Sequence, residues 1–120
     1  MTPAGDAPAG GAAAAAAVPG DLPGADLVAT GIRALQSGET TVEALLVSVG
    51  APRLRAAGLD IPPAPPLPHP PEISLYFAIG ADHPGDAHSR YNALIRRLVS
   101  FERALERRVR AESSAGERGS

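Results

Sequence analysis

Residues 91–110 read YNALIRRLVSFERALERRVR, and this stretch decides the fold. Its large apolar residues recur three and four positions apart, which is the spacing of one face of an α-helix. The pattern predicts a long amphipathic C-terminal helix that organises the fold and ends at about Arg110. The apolar residues of this face are Tyr91, Leu94, Leu98, Phe101 and Leu105.

The same spacing is that of a coiled-coil heptad, so these five residues also define an interaction seam. In that register Arg97 and Glu102 flank the seam. In a parallel dimer, Arg97 of one copy would lie opposite Glu102 of the other copy. Association is a common remedy for a short domain with a small core, so the sequence favours a homodimer built on this seam. The alternative is that the stripe packs inward on the first helices, as the face of an amphipathic helix generally does.

Three helices are predicted ahead of the proline-rich middle of the chain, the last of them very short. Residues 24–37 carry apolar residues at helical spacing, and Gly38 is a good stop. Thr40 begins a capping box with the glutamate three positions later, which predicts the start of a second helix. Gly50 is expected to end that helix, and Pro52 can open a third one at its first position.

The middle of the chain predicts a spacer followed by another helix. Seven of the ten residues 62–71 are proline, which predicts a stiff polyproline II spacer over residues 61–71 between two helical halves. Residues 72–80 alternate apolar and other residues as a strand does. A lone strand would have no hydrogen-bond partner, and Pro71 suits a helix start, so a helix is favoured here.

The predicted fold class is therefore all-α: a small bundle of four to five short helices with a proline-rich crossover and a long C-terminal amphipathic helix. The Ala, Gly and Pro load of the two ends cannot offset the entropy of ordering them. The predicted division is a disordered arm (1–23), a helical domain (24–110) and a disordered tail (111–120). Within the domain, N-terminal helices (24–60) and C-terminal helices (72–110) flank the spacer.

The charges are distributed unevenly. All 11 basic residues are Arg, and residues 88–120 carry eight Arg against four Glu, whereas residues 1–87 carry three Arg against nine acids. A polyanion contact is therefore expected, if anywhere, on the C-terminal helix. The candidate residues for it are Arg90, Arg96, Arg97, Arg103, Arg107 and Arg108.

A second nucleic-acid hypothesis is a helix-turn-helix over residues 41–57, with Gly50 in the turn and Arg53 and Arg55 facing DNA. The second helix would be very short, and residues 26–60 carry more acids than arginines, which is the wrong sign for a phosphate-binding surface. A structural hairpin is favoured, and nucleic acid is not the favoured partner.

The turn before the last helix holds four potential metal ligands. An inter-helix turn rich in Asp, His, Pro and Gly explains them better, because their spacing matches no zinc motif. No metal, no cofactor and no catalytic residue is expected, and the chain is predicted not to be an enzyme. The four weak candidates for a metal are Asp82, His83, Asp86 and His88.

The leading functional hypothesis is a small protein-interaction or adaptor module that associates with itself through the C-terminal helix. The alternative is a small DNA-binding regulator. No apolar run approaches the ~18 residues of a membrane span, so no membrane partner is expected. The absence of cysteine fits a cytoplasmic location.

Overall fold

The computed structural model describes residue 15 and residues 17–119, with side chains as far as residue 114. This part of the chain is helical and contains no strand, so the all-α prediction is confirmed. Its helices, in chain order, are α1 (Ala25–Gln36), α2 (Val42–Ala56), α3 (Pro71–Asp82) and α4 (Ala87–Gly119).

Helices α1 and α2 each end on a glycine in the left-handed conformation, which costs other residues steric strain. Gly38 has φ +74° and Gly58 has φ +104°. The amide of Gly38 donates to the carbonyl of Leu35 (3.0 Å), and the amide of Glu39 donates to that of Ala34 (2.9 Å). This pair of bonds is a Schellman motif, and the predicted stop at Gly38 is confirmed.

The start of α2 lies one residue later than predicted. The cap is Thr41, whose hydroxyl accepts a hydrogen bond from the amide of Ala44 at 3.1 Å. The capping box expected at Thr40 is therefore wrong by one position. Both threonines are suitable caps by type, so residue type alone does not decide between them.

Helix α2 continues through Gly50 and Pro52, so the predicted helix end at Gly50 and the separate third helix are both wrong. Gly50 is buried because α4 crosses it closely. A Cβ atom there would lie 2.7 Å from Oε2 of Glu102 and 3.1 Å from a methyl of Leu98. A proline inside a helix costs about 3 kcal/mol, and the burial of residues on both sides of it offsets that cost.

One hydrophobic core joins the two halves of the chain. Helix α2 packs against α1, α3 and α4, so α2 is in contact with every other helix. The expectation that the halves share only a small core is therefore wrong, and the organising role expected of the C-terminal helix belongs equally to α2. The largest fully buried side chains are those of Phe101, Ile32, Leu46, Leu54, Leu75, Val28 and Val47.

The proline-rich segment is a crossover that packs on this core, so it is more than a spacer. Leu59 and Ile61 are buried, and Leu67 is partly buried against the core. Arg55 fixes its first residues, because Nε and Nη2 of the guanidinium donate to the carbonyl of Ile61 at 3.2 and 2.9 Å. The segment ends at Pro70, which is the N-cap of α3.

Both predicted boundaries of the helical domain need correction. Val18 is buried and Leu22 packs against the core, so the folded part begins before residue 24. Residues 1–14 and residue 16 of the predicted arm lie outside the described residues. At the other end α4 passes Arg110 and continues to Gly119, and the side chains of residues 111–114 on this extension are exposed.

Candidate interaction surfaces

The predicted seam on the last helix is mostly inside the molecule. Leu98, Phe101 and Leu105 are at most 4% exposed, and they pack in the core of their own chain. Tyr91 and Leu94 are half-buried at its edge. The inward-packing alternative is the observed one, because α2 and the residue just ahead of α1 lie against the stripe that a partner helix would need.

The two charged residues expected to flank a dimer seam are also engaged within the chain. Nη1 of Arg53 lies 3.2 Å from Oε1 of Glu102, and Nη2 of Arg97 lies 3.4 Å from Oδ1 of Asp26. Arg53 also holds Glu106 with two parallel bonds of 2.6 and 2.8 Å. Arg53 therefore joins α2 to α4: the residue is exposed, but its guanidinium group is bound to two carboxylates of α4.

These contacts move the pKa values of two carboxyl groups in opposite directions. Burial raises the pKa of Glu102, and the positive charge of Arg53 opposes this only in part. The hydrogen bonds from Arg53 lower the pKa of Glu106. Burial has the larger effect at Glu102 because this residue is only 5% exposed.

Helix α3 and the first turns of α4 form an exposed apolar surface. We call it the aromatic patch and define it as Ile73, Tyr76, Phe77 and Tyr91. Ile73 is 44% exposed, Tyr76 39% and Phe77 59%, and these are the exposed large apolar side chains of the described residues. Together with Tyr91 they line a shallow groove.

Ring contacts hold the aromatic patch in shape. The rings of Tyr76 and Tyr91 lie 5.7 Å apart between centroids, which ties α3 to α4. The ring of His69, from the end of the crossover, meets Phe77 edge-on at 5.5 Å. Aromatic rings at such distances attract each other, so the patch is a preformed surface rather than a set of loose side chains.

The sequence carried a signal for this patch that its interpretation did not use. Residues 73, 75, 77 and 79 are all large and apolar, and such alternation lines one face of a strand. In a helix the same alternation splits these residues between opposite faces. Leu75 and Ile79 are buried, whereas Ile73 and Phe77 are exposed. A helix at this position therefore implied an exposed apolar face.

The structure divides the predicted polyanion residues into two groups. Arg90 pairs with Asp86 at 3.0 Å, Arg97 with Asp26, and Arg108 with Asp21 at 2.5 Å. Asp26 lies 71 residues before Arg97 in the sequence, and Asp21 lies 87 residues before Arg108.

The remaining candidates, Arg96, Arg103 and Arg107, are exposed and make no ion pair with any described side chain. Arg110 shares both properties. We call these four the arginine row. On a helix with 3.6 residues per turn they fall within a sector of about 60°.

The four weak metal candidates do not converge. Asp82 and His83 line a groove between α2, α3 and α4, whereas His88 lies by Asn92 in the groove of the aromatic patch. Asp86 is paired with Arg90. Within the described residues no three His, Asp or Glu side chains come together as a metal ion would require.

The helix-turn-helix hypothesis for residues 41–57 is wrong. Those residues form the single helix α2, and Gly50 lies inside it rather than in a turn. A structural hairpin at the same place is equally wrong. The close approach of α4 to Gly50 explains why a glycine stands here, and the sequence alone does not contain that information.

Among the described residues, no helix combines the length and the apolar character needed to cross a membrane. Protein-family models, curated proteins and solved structures were all compared with this chain, and none of them matches it.

Proposed function

We propose that this chain is a small protein-interaction module and that it associates with itself through the aromatic patch. The observation that carries the proposal is the asymmetry of α3. One face of this helix is buried in the core, while the other presents three large apolar side chains to solvent. Contiguous exposed apolar surface on a small domain is typical of a protein contact site.

The residue types of the patch suit an interface. Aromatic side chains are enriched in protein interfaces and dominate their binding energy, because a large rigid ring buries much area at little entropic cost. Tyr76 and Tyr91 also have hydroxyl groups that can bond across the rim. The ring contact between them means that little conformational freedom is lost when a partner covers them.

The proposed partner is a second copy of this chain, because the aromatic patches of two copies can meet without electrostatic repulsion. Glu72 is the only acid or arginine that lines the groove, beside His88 and Asn92. A two-fold dimer sets the same surface of both copies together, so an uncharged apolar centre is self-complementary.

Tyr91 was the first residue of the predicted seam. The proposal therefore keeps association on α4 but moves it to that helix's N-terminal end and to α3.

The size of the patch limits the strength of the association. A stable interface buries about 800 Å² on each partner, and four side chains make up only the centre of such an area. We therefore expect a reversible dimer whose population changes with concentration in the micromolar range.

Sedimentation equilibrium tests the proposal. The average mass should rise from the 12.2 kDa of one chain toward twice that value as the concentration increases. Phe77→Asp should hold the mass at one chain, because a carboxylate at the centre of the patch would be buried without a partner. Thr30→Asp adds the same charge on the exposed side of α1 and should associate as the natural chain does. A mass of one chain for the natural protein at every concentration would contradict the proposal.

A further inference from the structure

The arginine row forms a straight line of positive charge on the exposed side of α4. Its members, Arg96, Arg103, Arg107 and Arg110, are spaced seven, four and three residues apart. At 1.5 Å per residue the row is about 21 Å long from the first Cα to the last. A rigid helix presents the four guanidinium groups along one line, so they can bind a long, straight partner at the same time.

The charge of the row is not neutralised within the described part of the chain. The acids of α4 nearest to it are Glu102 and Glu106, and Arg53 binds both of them from the side of α2. Arg103 and Arg110 still help to lower the pKa of Glu106, but neither forms an ion pair with it. The fold pairs the other arginines of residues 90–108 with acids and leaves this line unpaired.

We propose that the arginine row binds the phosphodiester backbone of a double-stranded nucleic acid. A guanidinium group donates two parallel hydrogen bonds to a phosphate, which makes arginine the preferred residue for this contact. Each strand of a duplex carries a phosphate about every 3.4 Å along the axis. Because each strand turns once in about 10 base pairs, a straight row about 21 Å long cannot follow one strand, and its four guanidinium groups reach phosphates of both strands across a groove.

The residues around the row favour a duplex over other polyanions. Ser100, Ala111 and Ser114 stand beside the arginines and are small and exposed, so a backbone can approach closely. A membrane surface would require large apolar side chains next to the charges, and the exposed ones of the described residues lie on α3. A single strand would require aromatic rings among the arginines, and α4 has none exposed there.

Binding should be independent of base sequence and strongly dependent on salt. Four phosphate contacts give a slope of about −3.6 for log K against log salt. The affinity should therefore fall about 150-fold between 50 and 200 mM salt. The net charge of −2 of the whole chain works against long-range attraction, so binding depends on this local row.

Fluorescence anisotropy of the full chain with labelled 20-base-pair duplexes of DNA and of RNA tests this inference. The matched variants are Arg103→Gln/Arg107→Gln, inside the row, and Arg33→Gln/Arg90→Gln, outside it, which remove the same charge from exposed helix positions. The first should reduce the salt slope by about 1.8, whereas the second should leave it unchanged. Circular dichroism checks that both variants keep the helical fold.

The results of these binding measurements decide which polyanion the arginine row binds. Binding to either duplex with the row-specific loss supports the inference and shows which nucleic acid supplies the backbone. No duplex binding at 50 mM salt overturns it, as does an equal loss in the two variants. Tighter binding to a single strand or to vesicles of anionic phospholipid overturns it in favour of that partner. Phe77→Asp should not change duplex binding, so this test is independent of the self-association proposal.

Discussion

Helices α2 and α3 both pack against α4, but they use their apolar residues differently. Every large apolar side chain of α2 is buried or half-buried, because other helices cover it on several sides. Helix α3 lies at the edge of the bundle and buries only Leu75 and Ile79, while Ile73, Tyr76 and Phe77 remain exposed. The comparison separates the apolar residues that hold the fold together from those available to a partner.

The largest effect expected from this comparison is at Leu75. Leu75→Ala leaves a cavity in the core and should reduce the free energy of unfolding by about 2–5 kcal/mol. Phe77→Ala removes a larger side chain from the same helix but should cost no more than about 0.5 kcal/mol, because the ring is 59% exposed. Urea denaturation at concentrations where the protein is monomeric measures both.

An equal loss in the two variants would show that Phe77 belongs to the core and would remove the distinction between the faces of α3.

The crossing of α1 over α2 is the next most sensitive place. A Cβ atom on Gly31 would collide with the carbonyl oxygen of Glu43 and a methyl of Val47. Because a backbone atom cannot move aside easily, Gly31→Ala should cost about 1–3 kcal/mol. Gly20→Ala is the control, since nothing lies within 4 Å of its Cβ position, and it should change stability by less than about 0.5 kcal/mol. Thermal melting that fails to separate the two variants would show that the helices do not cross this closely.

The smallest effect is expected at Glu102, where α2 and α4 meet. Glu102→Gln keeps the shape and leaves Arg53 bound to Glu106, so at neutral pH the change should be within about 1 kcal/mol. The raised pKa means that the folded state holds the proton of Glu102 more tightly than the unfolded state does. Glu102 therefore adds to the free energy of unfolding when the pH is below its pKa in the unfolded state. This contribution is lost as the pH rises through its pKa in the folded state.

Denaturation of both proteins at a series of pH values measures this. The stability of the natural chain minus that of the variant should fall as the pH rises from below about 4 to neutral. Asp21 has a lowered pKa and acts in the opposite direction, but it is present in both proteins and cancels in the difference. A difference that rises with pH would show that Arg53 outweighs burial at this site.

Several local features are predicted correctly from the sequence. The helix stop at Gly38 and the start at Pro71 of the helix over residues 72–80 follow from backbone preference, and the long helix that includes residues 91–110 follows from helical periodicity. These properties depend on residues within a few positions of each other, so no knowledge of the tertiary contacts is needed.

Other features depend on residues that are distant along the chain. Gly50 looks like a helix end until α4 is placed against it, and that contact joins residues about fifty positions apart. The arginine row could not be separated from its paired neighbours for the same reason. Asp26 and Asp21, which bind Arg97 and Arg108, lie 71 and 87 residues away from them.

The most direct test of the central claim uses the two tyrosines. Tyr76 and Tyr91 are the only tyrosines of the chain, there is no tryptophan, and both belong to the aromatic patch. The tyrosine near-ultraviolet circular dichroism therefore reports on this surface. We predict that the signal per chain changes on dilution along the same curve as the sedimentation mass, and that Phe77→Asp abolishes the change. A signal that stays constant while the mass rises would place the interface elsewhere and contradict the account.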